Sequence, residues 1–140
     1  MKTIVWAGKV IADAHETHLD DYAVLVDGNI IQETGRLDEL LARHPDAAQC
    51  GGKNFLLLPA LINSHDHGRV LGTAPLGIAD DLLEVWIVQQ RSLPVIDPYL
   101  SAAYSGLSLL SSGVGTVSHL HTVRNWARVE EEVDAVIRGY

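Results

Sequence analysis

Apolar residues alternate with polar ones in short runs up to residue 57 and fall into helical spacings after residue 80. That pattern predicts a β-rich first part and a mixed α/β second part. Thr3-Ile4-Val5-Trp6 and Val10-Ile11 are separated by Gly8-Lys9, which reads as a turn, and a polar stretch follows from Asp13 to Asp21. Tyr22 to Val26 and Ile30 to Gln32 flank Asp27-Gly28-Asn29. An Asp-Gly step between β-branched runs predicts a hairpin. Leu37, Leu40 and Leu41 then follow helical spacing until Pro45, which predicts a short helix over 36–43. Ala47 to Gln49 and Asn54 to Leu57 are expected to pair with each other across Cys50-Gly51-Gly52-Lys53, the second strand running on into the next segment.

That segment is an unbroken apolar run from Leu56 to Ile62 that leads into His65-Asp66-His67-Gly68. A short continuous run of this kind reads as a strand buried on both faces, as in a parallel sheet. Gly68, Gly72, Pro75 and Gly77 then break both periodicities and predict a loop. Asp80 to Ile87 predicts a helix with acidic residues in its first turn and Arg91 near its end. Asp97-Pro98 supplies an N-cap and a first-turn proline, and Leu100, Tyr104, Leu107 and Leu110 mark one face of a helix over 98–112. Val114 to His121 predicts a second strand, and Trp126, Val129, Val133, Ile137 and Tyr140 one face of a closing helix. Strand, helix, strand in this order makes a βαβ unit.

Candidate chemistry sits where the strands end. Successive side chains of a strand point to opposite faces, so His65 and His67 share a side and can offer two imidazole nitrogens to one metal ion. Asp66 faces the other way and reads as structural. His119 and His121 form a second pair at the end of the second strand. Neighbouring parallel strands lie about 4.8 Å apart, so four histidines could in principle meet. Glu130-Glu131-Glu132 reads as a solvated helix face, and His15, His18 and His44 as surface residues.

Composition narrows the classes. A formal charge of −8 over 140 residues argues against nucleic-acid binding. The single Cys50 has no partner for an internal disulfide, and Lys9 and Asp13 interrupt the only early apolar stretch, so neither a signal peptide nor a membrane span is expected. The expected compartment is a reducing cytoplasm.

Pro59-Ala60-Leu61-Ile62-Asn63-Ser64-His65-Asp66-His67 resembles the segment that leads into and ends the first barrel strand of the amidohydrolase superfamily, with alanine at position 60 where glycine is usual. The resemblance implies an α/β chain in which residues 1–57 are the N-terminal part of a composite β-sandwich and residues 58–140 the first two β/α units of an incomplete TIM-type (β/α)8 barrel. Val114 to His121 resembles the family's second barrel strand. The resemblance further implies a metal-dependent hydrolase or deaminase in which His65 and His67 ligate a divalent metal, zinc with iron as the alternative. It takes the remaining ligands from later strands, which leaves His119 and His121 as candidates for contact with substrate or for support of the ligands. No acid–base catalytic residue is assigned within these 140 positions.

Asp80-Asp81-Leu82 with Glu84-x-Trp86 resembles the chlorohydrolase and aminohydrolase branch, which implies deamination of an aminopurine, pyrimidine or triazine. Trp86 itself reads as a core anchor. Alternatives are a dihydroorotase or hydantoinase type with two metals, and a remnant without catalytic role. The expected partner is a small-molecule substrate, with neither nucleic acid nor membrane. A complete barrel takes about 250 residues, so the chain is expected to be part of a longer protein or a truncated frame. Alone it is expected to be inactive, poorly stable, weak in zinc binding and prone to self-association through an unpaired strand edge.

Overall fold

The computed structural model describes residues 1–140 apart from Glu16, Val70, Leu71 and Asp80. The loop expected between Gly68 and Gly77 and the helix start expected at Asp80 therefore fall in part outside the described residues. The chain divides into two compact units, Met1–Pro59 and Ala60–Tyr140. No helix of the described residues is long and apolar enough to cross a membrane.

The first unit is a four-stranded sheet of order β3-β2-β1-β4, with β1 Lys2–Val10, β2 Leu19–Asp27, β3 Ile30–Arg36 and β4 Ala48–Leu57. β1 and β2 pair antiparallel, as do β2 and β3, whereas β1 and β4 run parallel. The β2–β3 connection is the expected hairpin, closed by Gly28 at φ 62° and Asn29. Helix α1, Leu37–Arg43, lays Leu40 on the sheet. Alternation along β2 turns Ala23 and Leu25 to the same side, and with Ile4 and Leu40 they form a core sealed by Trp6, Leu37, Leu41 and Ala47. Full burial of Ile4, Leu25 and Leu40 contributes about 1.5–3 kcal/mol for each side chain. Glu33 on β3 pairs with Arg43 at 2.7 Å and with His44 at 3.1 Å, tying the end of α1 to the sheet. His44 is consequently half-buried rather than a surface residue, whereas His15 and His18 are exposed.

Three local expectations are corrected. β1 continues through Gly8-Lys9 without a turn. Ala47 to Leu57 does not fold back on itself: β4 is one strand paired to β1, and its register shifts between the Ala7–Gly52 and Lys9–Leu56 pairs. A glycine-rich centre suggests a hairpin, but here it permits close parallel approach. Gly51 has φ 125°, and a Cβ at that position would collide with the Trp6 carbonyl oxygen. Gly51→Ala is expected to cost at least about 2 kcal/mol, read as a lowered denaturation midpoint, because it adds backbone strain to a steric clash. The apolar run from Leu56 to Ile62 is also not one strand. β4 ends at Leu57 and the next strand starts at Leu61, separated by Pro59, which has no N–H to give to a ladder.

The second unit holds β5 Leu61–Asp66, α2 Leu83–Gln90, α3 Pro98–Ser111, β6 Val114–His119 and α4 Val129–Gly139. One 3-10 turn, Ala74–Leu76, lies in the loop before α2, and another, Trp126–Arg128, precedes α4. β5 and β6 pair in parallel, joined by α2 and α3. Asp97 caps α3 as its sequence predicts, accepting from the Leu100 N–H at 3.0 Å, with Pro98 in the first turn.

The faces of these helices differ from the apolar stripes in the sequence. α3 buries the small residues Ala102 and Ser105 and packs on α4, while Leu107 and Leu110 stay exposed. α4 buries Val136, and Trp126 and Ile137 point away. β5 likewise leaves Leu61 and Ile62 exposed, so the expectation of burial on both faces is not met within this chain. Trp86 is half-buried and stands outside any core.

Candidate metal centre

His65 is the penultimate residue of β5 and His67 follows its end, so strand alternation carries both rings to one side. Their Nε2 atoms lie 3.3 Å apart, and the rings meet edge to face with centroids 5.1 Å apart. Two imidazole nitrogens bound at about 2.0–2.1 Å to a tetrahedral zinc ion are separated by about 3.3–3.4 Å. The bite of this pair therefore fits such an ion without rearrangement.

The support of the pair fits as well. His67 Nδ1–H donates to the Leu120 carbonyl at 3.0 Å, just past the end of β6, which leaves its Nε2 lone pair facing His65. The His65 N–H donates to Asn63 Oδ1 at 3.2 Å, and Asn63 Nδ2 donates to Asp66 Oδ2 at 2.9 Å. Asp66 Oδ1 accepts from the Gly68 N–H at 2.5 Å. Asp66 thus has the structural role its strand position suggests, closing the turn from which His67 projects. Among the described residues, no group of three or more His, Cys, Asp or Glu side chains is placed to hold a metal ion.

Gly68 sits at φ 60°, and a Cβ there would lie 2.5 Å from His119 Cε1. Its carbonyl accepts from Ser101 Oγ at 2.6 Å, which fastens the turn to α3. Gly68→Ala is expected to push His119 aside and strain the turn, at a cost of about 1–3 kcal/mol in a denaturation curve.

The second histidine pair does not join the first. His119 Nδ1 meets the Tyr140 hydroxyl at 3.0 Å, and His119 Nε2 is buried without a hydrogen-bond partner among the described residues. Burial, with smaller effects from His121 and His67, pulls its pKa below the usual imidazole value against the opposing pull of Asp66. The His119 and His121 rings stack at 5.8 Å, and His121 turns its Nε2 to Glu132 Oε2 at 3.2 Å.

Glu132 is the residue that the sequence reading missed. It was expected on a solvated face, but its side chain is only 12% exposed. Besides His121 it accepts from the backbone N–H groups of Arg124 at 3.0 Å and Asn125 at 2.8 Å. Burial opposes its ionisation, but these three donors outweigh burial and hold the carboxyl below its ordinary pKa. A signal was present: Val129, Glu132, Val136 and Gly139 lie at helical spacing and form the inward stripe of α4. His67, Arg69, His119, His121, Arg124 and Glu132 border one cleft of about 780 Å³. Trp86 lies beneath the Arg69 guanidinium, 4.8 Å from it, and its Nε1–H points to Thr73 Oγ1 at 3.4 Å.

The chain is similar to known proteins along much of its length. A family model described as the imidazolonepropionase-like composite domain of bacteria matches residues 23–47. The chain is 35% identical over 81 residues to 5-methylthioadenosine/S-adenosylhomocysteine deaminase 1 of Syntrophus aciditrophicus (strain SB), a match covering 57% of this chain and 18% of that protein. It is 26% identical over 129 residues to the 5-methylthioadenosine/S-adenosylhomocysteine deaminase of Halothermothrix orenii, covering 86% of this chain and 30% of that one. The chain thus spans less than a third of the length of either relative. Among solved structures, an adenosine deaminase from Xanthomonas campestris with bound zinc is 26% identical with a TM-score of 0.68, over 99% of this chain and 31% of that chain.

Proposed function

Taking the chain as an amidohydrolase-superfamily sequence of the deaminase-like branch, matching the N-terminal portion of its relatives, we propose that it supplies the first two metal ligands of an enzyme that deaminates a small nitrogen heterocycle. The observation that carries this reading is the 3.3 Å separation of His65 Nε2 and His67 Nε2, with His67 oriented by the Leu120 carbonyl. In this reading β5, β6 and their helices are the first two β/α units of a (β/α)8 barrel, and residues 1–57 belong to a composite β-sandwich. Support comes from the parallel β5–β6 pair and from the exposed Leu61, Ile62, Leu107 and Leu110, apolar surface that further β/α units would cover.

The reaction is hydrolytic: water adds at the ring carbon that bears the amino group, the carbon–nitrogen bond breaks, and ammonia leaves with a carbonyl left on the ring. A divalent ion, zinc by analogy with the solved adenosine deaminase, supplies the Lewis acidity that makes water nucleophilic at neutral pH. His65 and His67 would hold it, and the hydrogen bonds of Asn63, Asp66 and Gly68 fix the turn that carries them. His119, whose pKa burial lowers, and His121, anchored by Glu132, stand on the side of the cleft where a substrate would lie.

The test is turnover by the full-length gene product that carries these residues, read as ammonia release from adenine nucleosides, guanine and aminotriazines and as ring opening of hydantoin and dihydroorotate. Turnover of the amino heterocycles is expected, lost after dialysis against a chelator and restored by zinc. Turnover confined to hydantoin and dihydroorotate would overturn the reading.

A further inference from the structure

Glu132 faces three nitrogens: the backbone N–H groups of Arg124 at 3.0 Å and Asn125 at 2.8 Å, and His121 Nε2 at 3.2 Å. A carboxylate that takes two backbone N–H groups is held ionised and can only accept, so the His121 nitrogen turned to it carries a hydrogen. A neutral His121 therefore has its proton on Nε2 and a bare lone pair on Nδ1. The ring is held from a second side as well. It stacks on His119 with centroids 5.8 Å apart and planes 27° apart, and His119 Nδ1 is itself tied to the Tyr140 hydroxyl at 3.0 Å. Among the described residues His121 Nδ1 meets no donor, and unlike His119 Nε2 it is not fully buried.

We propose that Glu132 is a positioning residue that fixes His121 as the Nε2–H tautomer, so that His121 Nδ1 accepts a hydrogen bond in the cleft from an N–H or O–H of the substrate. The other charged groups of the lining favour this assignment. Glu131 and Asp134 are paired with Arg128 and Arg138, and Asp97 caps α3, so with Glu132 engaged the carboxylates of the cleft are committed. His121 Nδ1 is an acceptor that stays open on the lining that also includes His67. Such an acceptor selects against a ligand without a matching donor, because binding strips its water and returns no hydrogen bond. The substrate class is accordingly an amino heterocycle whose ring, amino group or attached sugar presents a donor to this nitrogen.

The proposal rests on the deaminase reading in calling the ligand a substrate; the tautomer rests on the Glu132 geometry alone. Two variants of the full-length protein separate the two ring nitrogens. His121→Gln sets an amide nitrogen where the imidazole Nε2 stood, keeping the donor to Glu132 and losing the Nδ1 acceptor. His121→Asn sets an amide oxygen where Nδ1 stood, keeping the acceptor and losing the bond to Glu132. With adenosine as the probe, KM is expected to rise about three- to tenfold in His121→Gln while kcat stays within about twofold of wild type, and His121→Asn should recover part of the loss. A purely structural His121 predicts the reverse order, with His121→Gln the milder change, and that order or an unchanged KM overturns the proposal. The analogue 2′,3′-dideoxyadenosine locates the donor. An effect of His121→Gln that vanishes on this analogue assigns a sugar hydroxyl, and one that persists assigns the ring or its amino group.

Nitrogen NMR of the full-length protein labelled at histidine reads the tautomer without turnover, the His121 signal being the one lost in His121→Gln. The wild type at neutral pH is expected to carry the His121 proton on Nε2 with Nδ1 bare. Glu132→Gln should give a mixture of tautomers, because a side-chain amide can offer either its oxygen or its N–H groups to the ring. A hydrogen on His121 Nδ1 in the wild type overturns the proposal. If the wild type deaminates no heterocycle but shows the bare Nδ1, the deaminase reading fails and the acceptor fixed by Glu132 stands.

Discussion

Replacing His67 with alanine in the full-length protein is expected to remove the metal and the turnover together. His67 provides one of the two nitrogens set at zinc-binding spacing, and its far nitrogen is fixed by the Leu120 carbonyl. Its loss removes a ligand and also frees the ends of β5 and β6 from a shared hydrogen bond. Residues that merely orient a metal ligand cost about 10–100-fold in affinity when mutated, so loss of the ligand itself should exceed about a hundredfold. The measurement is the metal-to-protein ratio after gel filtration, taken beside the rate of ammonia release. His119→Ala provides the contrast, because that ring faces Tyr140 and lies apart from the His65–His67 pair. It should leave the metal ratio near the wild-type value. Full zinc retention in His67→Ala would remove this residue from the ligand set.

Local signals in the sequence carried well wherever one residue type settles the backbone. Asp27-Gly28 closes a hairpin because glycine accepts positive φ at no steric cost, and Asp97-Pro98 starts α3 because the carboxylate accepts the first free N–H. The shared side of His65 and His67 follows in the same way from the period of two along a strand. Partners distant in the chain were not legible. Nothing around Gly51 announces that β4 will pair in parallel with β1 rather than fold on itself, since the deciding contact is with Trp6. The face that α4 buries was misread because apolar residues are plentiful on both sides of it. The buried side was decided by close approach to α3, where Val136 is covered and Glu132 is drawn inward by backbone donors. Trp86 was read as an anchor from its size, but its partner is a guanidinium, which no apolar pattern reports.

Glu132 yields the largest effect expected from a residue that touches neither metal nor substrate. Its carboxylate is the acceptor for two backbone N–H groups and one imidazole at the end of β6, so Glu132→Ala leaves three donors without their partner, of which the His121 imidazole is part-buried. Hydrogen bonds to a charged acceptor contribute about 1.5–3 kcal/mol, and water can replace only some of those lost, which sets the expected destabilisation at about 2–4 kcal/mol. Glu132→Gln keeps one acceptor oxygen and should lose less. The pH dependence has a definite sign. The folded carboxyl titrates below its ordinary pKa, because the Arg124, His121 and Asn125 donors outweigh the burial that opposes ionisation. The unfolded chain therefore takes up a proton first as the pH falls. The stability that Glu132 contributes is fully present above the ordinary carboxylate pKa and fades as the pH drops through the depressed folded value. Urea denaturation of wild type and Glu132→Gln across this range should show a gap at neutral pH that closes in acid. A gap that persisted unchanged below the carboxylate range would mean that Glu132 acts through packing, and that His121 is held in the cleft by something other than its charge.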